Sequence, residues 1–336
     1  MADPSGPGHL AEVGGRSADI DALLGTASGP VVIRKLADDW PLVHAGRKGG
    51  RAARDYLLRH ARSTSFTANY GLPGVADRLF YTDDMAMNFR VENKPLEAIF
   101  NDIEAGESVP DPPFIYLSSI DIADAFEGLA ENTALDLGGR VASQRIWIGN
   151  RTRIAAHNDI PDNLAVCAVG RRIFTIFPPE QIANLYLGPI EHNPAGRPVS
   201  MVDFKAPDFP RFPRFEEALR SAFRVELEPG DAIHVPSMWY HHVESLDPFN
   251  VLINYWWKQA PRWLGDPELA LFHAMLALRD LPHDARMRWQ MMFDHYVFSG
   301  GADAAAHVPD GKRGILDPLN PASAQLIRTR ILRGLS

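Results

Sequence analysis

A single cysteine, Cys167, stands among 336 residues. That excludes an intramolecular disulfide and fits a reducing compartment. It sits inside the apolar run 164–169, so the expected role is a small buried hydrophobe and not a nucleophile. No stretch approaches the roughly 20 apolar residues needed to cross a bilayer as a helix. Positive charge is in deficit: 34 Lys and Arg against 42 Asp and Glu give a net charge of −8, which argues against a general nucleic-acid or anionic-membrane surface. Residues 1–9 carry neither a basic n-region nor an apolar h-region, so the expectation is no signal peptide and a cytoplasmic protein. Internal repeats are absent. A chain of this length forms one large domain or two modest ones, and either can bury a substantial core.

Along the chain, residues 1–17 are rich in Gly and Pro and read as a flexible leader. A short helix is expected over 19–24, a strand over 31–33, and helices over 51–62 and 94–105. In the second of these, Leu96, Ile99, Phe100 and Ile103 recur at helical spacing. Residues 69–77 read as loop. From about 114 to 257 the pattern turns to strands: Arg145-Ile146-Trp147-Ile148-Gly149, then a hairpin-like pair at 164–170 and 171–177. Further on, 223–227 leads through Glu228-Pro229-Gly230-Asp231 into 232–236. Strands broken by Pro-Gly-Asp turns describe antiparallel β structure. After Pro261 the character becomes helical, with amphipathic segments at 267–279, 284–297 and 322–332 and a linker over 300–314. The division expected is therefore a leader (1–17), a main domain (18–260) and a C-terminal helical segment (261–336).

Within the β region, His157-Asn158-Asp159 is followed some 80 residues later by Trp239-Tyr240-His241-His242. Two histidines and a carboxylate make a facial triad for non-haem Fe(II), leaving the opposite positions open. Alternate residues of a strand point the same way, so His157 and Asp159 can reach one ion. The third ligand must come from a distant strand, and either His241 or His242 can supply it. As strand neighbours these two face opposite ways, so one of them binds. A triplet of this kind by itself arises by chance; its neighbours give it weight.

Those neighbours carry a resemblance. His157-x-Asp159, Phe177-Pro178-Pro179-Glu180-Gln181, Val202-Asp203-Phe204, Phe209 to Pro213, Pro229-Gly230-Asp231, Trp239 to Ser245 and Asn254-Tyr255-Trp256 recur in order. Together they resemble the cupin-like branch of the Jumonji-C oxygenases, whose members include the asparaginyl hydroxylase that inhibits hypoxia-inducible factor. The resemblance covers about a third of the chain, with weaker similarity back through Phe114 to Leu117 and Pro30 to Arg34. It implies a mostly β fold with flanking helices, built on a double-stranded β-helix (jelly-roll) core. It also implies an Fe(II)- and 2-oxoglutarate-dependent dioxygenase acting as a hydroxylase, and it selects His241 as the third ligand beside His157 and Asp159.

For the cosubstrate, the resemblance places the cation that holds the distal carboxylate at Arg172. The family relative has lysine there, and arginine offers a two-pronged fork instead of a point charge. The strand pattern makes both faces of 171–177 apolar and does not itself say which one lines a pocket. Tyr116 matches a tyrosine that bonds the same carboxylate, and Asn163 and Asn254 match asparagines near its iron-bound end. Leu252, Asn254 and Trp256 should share one face, with Trp256 packed over the site. Ile154 departs from the family, which has a hydroxyl there. Loops 70–84 and 186–212, with Asn88-Phe89-Arg90, are expected to border the mouth.

The partner expected is a protein or peptide side chain or a small molecule, with nucleic acid disfavoured and no membrane; the C-terminal helices imply a homodimer by resemblance. Two other readings stay open: a non-catalytic ligand-binding cupin module, and a metal-dependent cupin enzyme that does not use 2-oxoglutarate.

Overall fold

The computed structural model describes residues 10–15, 19–75, 77–261, 263–299, 303–309 and 311–335. The chain divides into two compact units, Met1–Lys258 and Gln259–Ser336.

The first unit opens with β1 (Ala11–Gly14), α1 (Ile20–Thr26) and β2 (Val31–Arg34). Asp19 caps α1 by accepting the Ala22 N–H at 3.0 Å, which satisfies one of the free donors of a helix start. Residues 11–14 pair in parallel with β2, so the expected leader contains a strand; the rest of that leader that could be compared, 1–9 and 16–17, lies outside the described residues. Then come α2 (Pro41–Arg47), α3 (Gly50–His60), β3 (Ser65–Gly71), β4 (Arg78–Leu79), β5 (Phe89–Pro95) and α4 (Leu96–Gly106). Leu96, Ile99, Phe100 and Ile103 are all buried, as their spacing requires. The loop expected from residue 69 begins later, because Asn69, Tyr70 and Gly71 complete the β3 ladder with β5. Likewise Lys94 and Pro95 end β5 and do not start α4.

Next are β6 (Ile115–Asp121), the single turns α5 (Ile122–Ala125) and α6 (Leu129–Asn132), then β7 (Ser143–Gly149), β8 (Arg153–Asn158), β9 (Asp162–Val169) and β10 (Arg172–Phe177). After an excursion of loops, α7 (Phe215–Arg220) leads into β11 (Phe223–Leu227), β12 (Ala232–Val235), β13 (Tyr240–Ser245) and β14 (Asn250–Trp257). These strands form two sheets. The larger runs β1-β2-β12-β9-β14-β7-β6-β3-β5, and the smaller runs β11-β10-β13-β8-β4. The fold is mostly β with flanking helices, consistent with a jelly-roll core.

One expectation fails here. β9 and β10 are not a hairpin: β9 pairs with β12 and β14 in the larger sheet, whereas β10 pairs with β11 and β13 in the smaller. The connection crosses between sheets through Gly170, whose φ of 70° and lack of a side chain are both required. A Cβ there would meet Asn250 Oδ1 at 2.3 Å.

Helices α1 to α6 pack on the outer face of the larger sheet over Ile33, Ile146, Ile148, Val166, Val251 and Ile253. A second apolar cluster lies between the sheets, with Val32, Phe114, Ala165, Phe174, Ile233 and Leu252. The excursion after β10 brings its own cluster of Leu185, Val202 and Phe215 against the back of the smaller sheet.

The second unit holds α8 (Pro267–Leu278), α9 (His283–Phe293) continued by a wider turn at Asp294–Phe298, and α10 (Pro321–Leu335). Neither α8 nor α9 contains a buried residue. Leu269, Leu276, Met291 and Phe298 are each more than 60% exposed, so the apolar surface of this unit has little of its own to cover it. No helix among the described residues is long and apolar enough to cross a membrane.

Candidate metal centre

β8 and β13 are neighbours in the smaller sheet, and their register sets His157 directly opposite His241. Asp159 lies one residue beyond the end of β8. The register then slips, so that Val243 faces Ile154 and β8 carries an extra residue just before His157. Such bulges re-aim side chains next to sites. The three side chains bring one ligand atom each to within 4.8 Å of one another. His241 Nε2 is 3.7 Å from Asp159 Oδ2, and the two imidazole rings are 4.5 Å apart.

Each histidine is oriented by its own backbone. His157 Nδ1 lies 2.9 Å from the Ala155 carbonyl, and His241 Nδ1 lies 3.3 Å from the Trp239 carbonyl. With Nδ1 donating its proton to a carbonyl, the Nε2 lone pair is left for a metal. Burial drives the His241 imidazole down to about 4, assisted by His157 and opposed by Asp159. It is therefore neutral, as a ligand must be, near pH 7. The donor set and tautomers fit a divalent ion such as Fe(II). His242, by contrast, faces the other side of the sheet. It stacks on Phe204 with ring centroids 4.4 Å apart; neither of its nitrogens has a hydrogen-bond partner among the described residues, and Nε2 lies 3.9 Å from the Glu244 carboxylate.

A cavity of about 450 Å³ opens between the sheets beside the triad. Its walls include Tyr116, Ile154, Asn163, Arg172, Asn254 and Trp256. Of the two arginines, Arg171 is exposed and pairs with Asp247 and Glu226. Arg172 is 1% exposed and faces inward with Phe174. Its Nε and Nη2 have no hydrogen-bond partner among the described residues. Burial lowers its affinity for the proton, but a guanidinium keeps its charge in proteins. An inward fork of unsatisfied donors on a cavity wall is an anion site. Tyr116 stands near enough for its hydroxyl to be influenced by both Arg172 and Asp159, and burial raises its pKa. Ile154 is buried on the same wall and contributes no donor.

Asn163 and Asn254 form a chain. Asn254 Nδ2 donates to Asn163 Oδ1 at 2.7 Å, and Asn163 Nδ2 donates to Asp159 Oδ2 at 3.2 Å. Trp256 lies edge-on to Trp147, with centroids 5.3 Å apart on the cavity wall. Asn69, Leu79, Ser118, Ser119 and the 194–197 segment also line the cavity; Leu79 and 194–197 lie in the two segments expected to border it, 70–84 and 186–212. Ser119 has a φ of 51° at a bulge between β6 and β7, a feature without a sequence signal. Asn88-Phe89-Arg90 does not reach the mouth. The Asn88 amide is buried and holds Phe80 N–H and the Arg78 carbonyl, while Phe89 packs on Phe114. Tyr70 also turns away, bonding Asp102 at 2.7 Å.

A profile of the cupin-like domain matches residues 20–262. The chain belongs to the cupin-like domain family. This agrees with the Jumonji-C resemblance of its motifs. HSPB1-associated protein 1 of Homo sapiens is 27% identical over 244 residues, covering 68% of this chain and 47% of that protein. The tRNA wybutosine-synthesizing protein 5 of Gallus gallus is 33% identical over 105 residues, 31% of this chain and 30% of the relative. Lysine-specific demethylase JMJ31 of Arabidopsis thaliana is 30% identical over 119 residues, 35% of this chain and 21% of the relative. The chain thus spans about half, or less, of the length of these relatives.

Proposed function

We propose that this cupin-like chain is an Fe(II)- and 2-oxoglutarate-dependent oxygenase that hydroxylates a protein or peptide side chain or a small molecule. The observation that carries the reading is Arg172: a fully buried cation with two unsatisfied donors, on the wall of the cavity that also holds His157, Asp159 and His241. A dicarboxylate that chelates a triad metal leaves its far carboxylate in need of such a fork. His157, Asp159 and His241 would hold the iron, and Arg172 with Tyr116 would hold the distal carboxylate. Asn163 and Asn254 would hold Asp159 and the chelating end in place, and Trp256 would wall the site. When bound, the iron supplies oxygen activation, with 2-oxoglutarate as the electron source that ends as succinate and CO2. The chain's own work is to keep His241 neutral by burial, fix the Nε2 atoms of both histidines toward the ion and exclude water with Trp147, Trp256 and Ile154.

Ile154 favours one second reading, a metal-dependent cupin enzyme or binding module that does not use 2-oxoglutarate, since it leaves the anion fewer donors. Anaerobic titration with Fe(II) and then 2-oxoglutarate separates the readings. The charge-transfer band of the chelate should appear and should be lost in His157→Ala. Iron binding without the band selects the second reading, and no iron binding removes the metal reading.

The relatives differ in the substrates their names give, so the substrate class rests on this chain. Its net charge of −8 supports a target other than nucleic acid, and we place the protein in the cytoplasm. The bare apolar surfaces of α8 and α9 support a homodimer through the C-terminal helices.

A further inference from the structure

We infer that Ser237 is a positioning residue for the metal site, acting through the segment that carries Asp159; this rests on reading His157, Asp159 and His241 as metal ligands. Beyond Asn158 the chain leaves β8 and crosses through Asp159, Ile160 and Pro161 into β9, so no strand ladder holds it there. The turn between β12 and β13 holds it instead. Met238 N–H donates to the Asp159 carbonyl at 2.9 Å. The Ser237 hydroxyl donates to the Ile160 carbonyl at 2.5 Å, and Ser237 N–H donates to Asp162 Oδ1 at 3.3 Å.

Met238 has a φ of 66°. That left-handed conformation is uncommon for a residue with a side chain and persists where the surroundings impose it. Three residues after Met238 the same turn delivers His241. One short segment therefore bonds the backbone of one ligand and leads covalently into another. The hydroxyl of Ser237 is the part of this staple that a substitution can remove without touching a ligand or the backbone. Without it the Ile160 carbonyl loses its partner, and Asp159 gains freedom to move relative to His241.

The probe is Co(II), whose visible absorption reports its coordination, titrated into the full-length apo protein. Outer-shell groups of metal sites alter affinity by roughly 10–100-fold, and a group acting through backbone belongs at the lower end. Ser237→Ala should weaken Co(II) binding by about tenfold and change the visible spectrum. Ser237→Thr, which keeps the hydroxyl, should restore both. A Ser237→Ala protein with the wild-type spectrum overturns the inference, whether or not its affinity or melting temperature falls, because loss of fold alone lowers occupancy without changing the bound spectrum. Failure of threonine to restore the spectrum overturns it as well. Wild-type protein that binds no Co(II) removes the metal reading itself, and the inference with it.

Discussion

Replacing Arg172 with methionine should make the empty protein more stable and abolish its recognition of 2-oxoglutarate. Arg172 is among the largest fully buried side chains, and its Nε and Nη2 are without partners among the described residues. A buried donor left unmade costs about 1–3 kcal/mol, more when charged. Exchanging a buried ionic group for an apolar one of similar length typically gains about 1–4 kcal/mol. At roughly 2–4 °C per kcal/mol for a unit of this size, the apo melting temperature should rise by several degrees. The same change removes two charge-assisted hydrogen bonds to the anion, each worth about 1.5–3 kcal/mol. The combined loss, roughly 3–6 kcal/mol, is two to four orders of magnitude in Kd. Thermal melting of Mn(II)-loaded protein with and without 2-oxoglutarate reads both effects. Wild type should gain stability from the cosubstrate; Arg172→Met should start higher and gain nothing. A variant that melts below wild type and still responds to 2-oxoglutarate would refute the reasoning.

His157→Ala or Asp159→Ala should weaken Fe(II) by more than the roughly hundredfold ceiling typical of outer-shell changes while leaving the far-ultraviolet circular dichroism of the β core unchanged; isothermal titration that finds wild-type affinity in either removes that residue from the ligand set. Burial depresses His241 to about 4 and His242 to about 3. In the unfolded chain both take up protons near 6.5, so between 6.5 and 4 the unfolded state holds more protons and apo stability falls as pH falls. Urea unfolding at pH 7.5, 6.0 and 5.0 should show that decline, and His242→Leu should flatten it; an unchanged slope contradicts the assignment. If α8 and α9 meet a second copy, sedimentation should show a dimer, and Leu276→Glu with Met291→Glu should give a monomer that retains Fe(II) binding.

The ligand triad was legible because strand periodicity and residue chemistry coincide at His157 and Asp159. The choice between His241 and His242 was not in the pattern, since strand alternation says only that the two face opposite ways; it is the register with β8 that decides. Arg172 and Arg171 posed the same ambiguity, resolved by which sheet face the excursion of loops covers. The hairpin expected at 164–177 failed because local sequence does not show that Gly170 carries the chain from one sheet to the other. The 11–14 strand escaped notice because its pairing partner is 20 residues away and its own residues have little β preference. The bulged Ser118-Ser119 wall and the Ser237 staple are products of tertiary contact, and no spacing encodes them.

The unsatisfied buried polar groups sort by position, and the sorting bears on function. Arg172, Asn254 and Trp256 each keep an unpaired buried atom on residues that line the cavity. His234, His242, Asn250 and Trp257 do so away from it, and the two imidazoles each lie against an aromatic ring: His234 on Trp257 at 5.8 Å and nearly parallel, His242 on Phe204 at 4.4 Å. Burial, assisted by Arg153 and Arg78, holds His242 well below the usual imidazole range, so against its ring it behaves as an apolar slab whose cost is limited to unmade neutral hydrogen bonds. A guanidinium has no neutral state to retreat to. Its burial is tolerable only where the rest of the fold carries the cost or where a ligand removes it. Since the cavity gives Arg172 room for such a ligand and no carboxylate among the described residues bonds it, the penalty at Arg172 in the empty protein is the counterpart of affinity for an anion.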